Sequence, residues 1–429
     1  MAHTPFKVMA VVAASATALV GCGAAEEVTG GSSGDAEFSF TDIIGRDVEL
    51  DKAPDRVILG EGRSIFATGV LDPDNPLDKV VGIGTDLKQN VPDYYNALEK
   101  ELPSVNEVPE IGGFTKGDVT VEKLVSLDPD LIVLSLDQYD ASREAGLTDK
   151  MDQAGLKYAV TDFRRDPLEN TPKTMDIFGE IFGQEDRAEE FNSDWQKTVD
   201  LVEDRAEKVK DKPKTFVWRA AGVSDCCGSW NDSNISQLVN AAGGENIGDK
   251  VIPGESGTIT PEKVLESDPD MIIATGGDWS EMKDDEGHPV GYAAVGYGID
   301  EKEAKGSVAK LPGKQAGFDK LRAVKEHHFH SMWHQFYNSP FNYLALLQVA
   351  EWIDPEAYAD MDVAKHHEYD HDRHLAVSHV ARPQQSLTRS LWQKTHCALA
   401  EWTSAPKGHD HERTQQGIGR TLTPAMAFR

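Results

Sequence analysis

The stretch VTVEKLVSLDPDLIVL, residues 119–134, is followed 140 residues later by ITPEKVLESDPDMIIA, residues 259–274. Seven of the sixteen positions are identical, among them Thr120/Thr260, Glu122/Glu262 and the Asp-Pro-Asp triplets at 128–130 and 268–270. Each copy reads as a helix, a turn and a buried strand. The prolines, 129 and 269, stop the helix, and the flanking aspartates favour a turn. The apolar run after them suits a strand covered on both faces. A 140-residue offset far exceeds the roughly 20–50 residues of solenoid repeats. It marks two equivalent lobes.

RVILG (56–60), KVVGIG (79–84) and KYAVTD (157–162) join DLIVLS (130–135) as one set of short apolar runs. KTFVWRA (214–220), DMIIAT (270–275) and HFHSMW (328–333) form a second set. Strands alternating with helical segments predict α/β sheets, and two sets predict two sheets. Between the sets, Ala188, Phe191, Trp195, Val199, Val202, Ala206 and Val209 recur at steps of three and four. They predict one amphipathic helix over residues 186–210, ahead of Pro213. The expected fold is α/β, with two Rossmann-like lobes of central parallel sheets, a single long joining helix and a ligand cleft between the lobes. The expected boundaries are 38–183 for the first lobe, 184–212 for the joining helix and 213–377 for the second lobe.

The 429 residues carry a formal charge of −30. That balance argues against a nucleic-acid partner, because phosphate binding needs clustered Lys and Arg. It suits a soluble monomer with a solvated acidic surface. After Lys7 come 13 apolar or small residues and then Gly21-Cys22. This run is too short to span a bilayer and has the layout of an export signal over residues 1–21. LVGC, residues 19–22, resembles the bacterial lipoprotein cleavage box, which implies cleavage before Cys22 and acylation of its sulfur. Residues 22–37, small, polar and glycine-rich, read as a flexible tether. In an exported chain the adjacent Cys226 and Cys227 either form a vicinal disulfide or remain free thiols.

The paired EKL…DPDLIVL and EKV…DPDMIIA units, LVNAAGGENIG (238–248), the single joining helix and SPFNYLALLQVAEWIDPE (339–356) together resemble a known family. These are the substrate-binding lipoproteins of ABC importers for iron–siderophore complexes, haem and vitamin B12. The resemblance covers about residues 38–377. It implies a bound ligand between two lobes and a partnership with an ABC permease dimer and its ATPase subunits. It also implies attachment to the outer face of the bacterial cytoplasmic membrane. It gives Glu122 and Glu262 the role of docking the two lobes onto the permease. Helix capping alone explains an acid in each first turn, but not its matched presentation on both lobes.

Open α/β sheets bind ligands beyond the carboxyl ends of their strands, so the loops after the strands hold the candidates. Arg63 follows the first strand of one lobe and Arg219 ends the first strand of the other, a pair suited to clamp an anionic chelate. Arg164 follows KYAVTD. Phe114, Tyr139, Trp230, Trp279 and Tyr297 lie in glycine-rich or polar loops and offer flat apolar area with polar edges. In HHFHSMWHQFY (327–337), alternation puts His328 and His330 on one strand face and His327 on the other. His334 and Tyr337 leave the strand at its cleft end. Four histidines on one segment cannot all converge on one ion, and no metal site is assigned. Iron is expected only inside the bound chelate, with no resident cofactor.

From Asp370 to Arg429 there are 8 Lys and Arg against 5 Asp and Glu. The segment 378–429 shows neither helical nor strand periodicity and reads as an atypical, disordered tail. The expected function is capture of a ferric siderophore for an ABC importer, with haem, cobalamin or a divalent metal as alternative cargoes. An exported metal-dependent hydrolase is the other class considered. The sequence carries no nucleophile elbow, HExxH or P-loop to support it.

Overall fold

Two separate four-stranded sheets, each wholly parallel, form the body of the chain. The computed structural model describes residues 37–223, 226–280, 282 and 291–363. The expected signal segment, Cys22, nearly all of the tether and the atypical tail lie outside these residues. Among the described residues, no helix is long and apolar enough to cross a membrane.

An antiparallel hairpin, β1 (Phe38–Thr41) with β2 (Asp47–Leu50), precedes the first sheet. That sheet contains β3 (Val57–Leu59), β4 (Val80–Ile83), β5 (Leu131–Ser135) and β6 (Tyr158–Thr161), in the order β4-β3-β5-β6. Then follow β7 (Lys214–Trp218), β8 (Gly228–Trp230), β9 (Glu245–Asn246), β10 (Ser256–Thr258), β11 (Met271–Gly276) and β12 (Phe329–Trp333). Strands β8 and β10 pair antiparallel, while the other four form the second sheet in the order β9-β7-β11-β12. The repeat strands β5 and β11 therefore hold the same place in two sheets of the same order. The sixteen-residue likeness is the visible part of a whole-lobe equivalence.

The conserved geometry of the two copies has a local cause. Thr120 and Thr260 cap their helices by accepting the Lys123 and Lys263 N–H groups at 3.2 and 3.3 Å. Asp128 and Asp268 both take left-handed backbone angles, with φ of 47° and 40°. The aspartate after each proline then ties its strand to the neighbouring one. The Asp130 carboxylate accepts from the Asp55 and Arg56 N–H groups at 2.9 and 3.0 Å, and Asp270 accepts from Lys214 N–H at 2.9 Å. The triplet thus ends a helix and sets the start of a strand against β3 or β7.

The joining helix runs over Glu185–Ala206, 22 residues, or about 33 Å. It stops short of the periodicity that continues to Val209, because the chain must turn to enter β7 and packs Val209 and Ala206 over Gly243. Phe191, Trp195, Val199 and Val202 are its buried stripe. That stripe lies between the helix Pro167–Phe182 of the first lobe and the closing helix Asn342–Ile353 of the second. Trp195 Nε1 donates to Asn342 Oδ1 at 2.9 Å, fixing the joining helix to the closing one.

The lobes also touch directly. Phe66 meets Trp333 and Phe341 at ring-centre distances of 5.8 and 6.3 Å, and Tyr94 meets Tyr297 at 5.4 Å. Edge-on aromatic pairs of this kind add roughly 0.5–1.5 kcal/mol each beyond area burial. One hydrophobic core consequently runs through both lobes.

Candidate functional site

The loops that follow the parallel strands of the two lobes face one another, and arginine and aromatic side chains meet there. The loop after β3 and the loop after β4 interlock: a Cβ on Gly84 would lie 2.3 Å from the Gly60 carbonyl oxygen. This contact brings Asp86 under the turn that carries Arg63. Asp86 accepts from the Gly62 N–H at 2.6 Å and from Arg63 Nε at 2.9 Å. Arg63 also pairs with Glu61, and its Nη1 donates to Gln335 Oε1 at 2.9 Å and reaches Tyr337 Oη at 2.5 Å across the gap. Burial opposes the guanidinium charge, but Tyr337, Glu61 and Asp86 outweigh it and raise its pKa. Burial outweighs the pull of Arg63 on Asp86, whose carboxyl is pushed up. Arg63 is therefore a buried latch between the lobes, and its donors already have partners. It does not stand open as one jaw of a two-arginine clamp.

The second latch is Asp93. Its Oδ2 accepts the Tyr297 N–H of the other lobe at 2.9 Å. Burial, aided by nearby Asp278, raises its pKa to about 6 from an ordinary 3.8. Unfolding would return it to water and to its ordinary value. The folded form binds the proton more tightly, so the stability this group confers is present below pH 3.8 and lost as pH rises through 6. The shift corresponds to roughly 3 kcal/mol. Asp93→Asn is accordingly expected to stabilise the protein by about 1–3 kcal/mol at pH 7.5, with the gain shrinking toward pH 4. Urea unfolding of both proteins across that range checks this, and a pH-independent difference would contradict it.

Around His334 the arrangement is different. Its Nδ1 lies 2.8 Å from Thr275 Oγ1, which itself accepts the Ala220 N–H at 2.8 Å. Burial first, then the charges of Arg63, Arg164 and Arg219, push the imidazole down to about 3. The ring is neutral at any physiological pH, and no described residue hydrogen-bonds its Nε2. That atom is a donor or a lone pair according to which partner holds the bridging proton. Tyr337 lies 4.5 Å from the ring, Trp279 5.5 Å and Trp230 6.2 Å. Tyr292 extends this wall from Trp279 at 5.9 Å.

Two further arginines close on the same place. Arg164 sits over the Tyr337 ring at 4.9 Å and is paired with Asp137, which Arg165 shares at 2.9 Å. Arg219 sits over the Trp230 ring at 5.7 Å. Gly228 makes room for it, since a Cβ there would stand 3.2 Å from Arg219 Nε. Among the described residues no carboxylate pairs with Arg219. Burial, with the repulsion of Arg164, lowers its pKa against a smaller opposing effect of Tyr337. A half-buried cation without a counter-ion beside a second cation is a place for an anion.

The structure thus brings together Arg164, Arg219, Trp230, Trp279, His334 and Tyr337, with Arg63 beneath them as a latch. Three candidates fall elsewhere. Phe114 is 3% exposed and packs with Ile58, Ile111, Val119 and Leu124 in the core of the first lobe. Its glycine-rich surroundings are a tight turn over that core. Tyr139 packs on Tyr158 at 6.3 Å and under Arg46 at 5.4 Å. The helix after β5 runs back down the sheet, so Tyr139 reaches the start of β6, away from the cleft. Tyr297 belongs to the aromatic contact between the lobes. Thr275, Asp86, Glu61 and Asp137 were missed: each acts through a partner more than twenty residues away, Glu61 through Asn338 Nδ2 at 2.6 Å besides Arg63, and none has a local signature. Glu122 and Glu262 are both exposed and, among the described residues, neither pairs with a cation. Cys226 and Cys227 are joined by a disulfide just before β8. Cys22 lies outside the described residues.

Two matched α/β lobes with cationic and aromatic side chains gathered where their strand ends meet define a ligand-binding protein of the two-lobed type. The chain belongs to the periplasmic binding protein family, whose pattern it matches over residues 76–332. It is 23% identical over 245 residues to the ABC transporter substrate-binding lipoprotein YvrC of Bacillus subtilis, covering 56% of this chain and 69% of YvrC. It is 29% identical over 179 residues to the high-affinity heme uptake system protein IsdE of Staphylococcus aureus, covering 41% of this chain. The match spans only 56% of the length of IsdE. Among solved structures, the TroA-like periplasmic binding protein FepB from Veillonella parvula superposes with a TM-score of 0.70 at 26% identity. That match covers 79% of this chain and 96% of FepB.

Proposed function

We propose that the protein is the substrate-binding component of an ABC importer, that it captures a ferric siderophore between its lobes, and that it hands this cargo on chemically unchanged. The observation that carries the reading is Arg219, half-buried beside Arg164 and without a carboxylate partner among the described residues. An anionic iron chelate supplies the missing charge through forked guanidinium hydrogen bonds. Trp230, Trp279, Tyr292 and Tyr337 supply flat walls for its organic part. Cys22 anchors the chain by its lipid to the outer face of the cytoplasmic membrane. Glu122 and Glu262 meet the two halves of the permease dimer, which works with its ATPase subunits.

A second reading has its own support. His334 is neutral, oriented through Nδ1 by Thr275, and its Nε2 has no described partner, which suits a haem iron ligand. The heme uptake protein IsdE is among the relatives.

Tryptophan fluorescence separates the two. The purified chain is titrated with a ferric catecholate, a ferric hydroxamate, haem, cobalamin and zinc. Saturable quenching by a ferric chelate at micromolar or lower concentration is expected, since Trp230 and Trp279 line the site. Tight haem binding with a shifted Soret band that His334→Ala removes would establish the second reading instead. Binding of zinc alone would overturn both.

A further inference from the structure

The second sheet has another recess at its opposite end. A groove of about 690 Å³ opens where β7, β11 and β12 begin, and the end of the closing helix forms its far wall. Asp270, Glu326, His328, His330, Glu351 and Trp352 are among its lining residues. It lies away from the cleft: His334 is four residues further along the chain from His330, or about 13 Å at strand rise.

Two imidazoles in the groove are set up in an unusual way. His328 Nδ1 lies 3.2 Å from the Asp270 carbonyl oxygen. A carbonyl only accepts, so this nitrogen carries the proton and the lone pair of His328 is on Nε2. Histidines that ligate metals ordinarily hold their other ring nitrogen in this way. His330 follows two residues later and so points to the same side of the strand. It is 6% exposed and lies flat on the Trp352 ring, 4.5 Å away at 13°. Among the described residues, neither of its ring nitrogens has a hydrogen-bond partner. Leaving a buried polar atom unpaired costs about 1–3 kcal/mol, so a partner from outside the described residues is the simplest account of this ring. The carboxylates of Glu326 and Glu351 on the same walls favour a cation.

We propose that this groove binds a divalent transition-metal ion, with His328 Nε2 and a ring nitrogen of His330 as its protein ligands. Imidazole nitrogen selects zinc, nickel or copper over magnesium or calcium. Among the described residues no three His, Cys, Asp or Glu side chains are gathered as a metal cage. The site is therefore a two-histidine one, with water filling the remaining positions. It is independent of the cargo cleft and of which cargo is carried.

Equilibrium dialysis of the full chain against Zn²⁺ tests this, with His328→Ala and His334→Ala compared in parallel. His328 is exposed, so its truncation leaves the fold intact. The wild type and His334→Ala are expected to bind one more zinc than His328→Ala, or to bind that zinc at least tenfold more tightly. Ni²⁺ should quench the wild type more than Trp352→Phe, because Trp352 stacks on His330. Equal zinc binding by wild type and His328→Ala would overturn the proposal. So would loss of the extra zinc in His334→Ala alone, which would place the ion in the cleft.

Discussion

Reversing both Glu122 and Glu262 to arginine is expected to abolish cargo uptake by cells while leaving the affinity of the purified protein for its ligand unchanged. The two carboxylates occupy the same place in the two lobes, in the first turn of the helices Val121–Ser126 and Pro261–Ser267. Both are exposed, and neither is engaged by a cation among the described residues. Their contribution to their own helices is limited to roughly 0.3–1 kcal/mol through the helix dipole. A folded-state role for them is therefore small. Opposite charges buried together in a docked complex behave differently: removing one partner typically costs about 2–5 kcal/mol. Two reversals add repulsion to that loss, so docking should weaken by several orders of magnitude. Each single reversal should leave a measurable fraction of uptake, because the other lobe still engages. Radiolabelled cargo uptake, with surface abundance checked by immunoblot, reads the effect. Normal uptake by a normally exposed double variant would remove the docking role.

The second large effect is expected at Arg219. Arg219→Glu should lower affinity for a ferric siderophore by at least a hundredfold, which is about 2.7 kcal/mol. The guanidinium lies beside Arg164, whose own charge Asp137 already offsets, and beside Arg63, which is held by Glu61 and Asp86. It is thus the cation in this group left for the ligand. Arg219→Lys should recover part of the loss, since a point charge replaces a forked donor. Arg63→Ala should behave otherwise. It strips Glu61 and Asp86 of their buried partner, and breaking such a pair costs roughly 3–5 kcal/mol, so the loss appears in unfolding more than in ligand affinity. Calorimetric titration together with thermal melts distinguishes a binding defect from a folding one.

Much of the fold could be read from short apolar runs, because each parallel strand is covered on both faces and needs no partner pattern to be recognised. The repeat around Asp128 and Asp268 was legible for a further reason: one triplet performs the same hydrogen-bonding task in both lobes. The hairpin of β1 and β2 gave no such signal, since its strands are four residues each and half exposed. The pair β8 and β10 unites segments more than twenty residues apart, with no turn motif between them. In the site, aromatic and arginine residues after strand ends could be named, but not their allegiance. Arg63 and Arg219 each follow the first parallel strand of their lobe. Asp86, brought in by the close passage of Gly84 past Gly60, claims the first and leaves the second. Tyr297 and Trp279 lie in loops of similar composition. One meets Tyr94 of the other lobe, and the other meets His334. Such differences depend on contacts between residues from about twenty to two hundred positions apart, which a linear reading does not contain.

The most direct measurement is an anomalous difference map, collected at the iron edge, from crystals grown with a ferric siderophore. A single strong peak is expected between the lobes, within ligand reach of Arg219 and His334, surrounded by density for the intact chelate. A peak elsewhere on the molecule, or a chelate found cleaved or stripped of its iron, would contradict it.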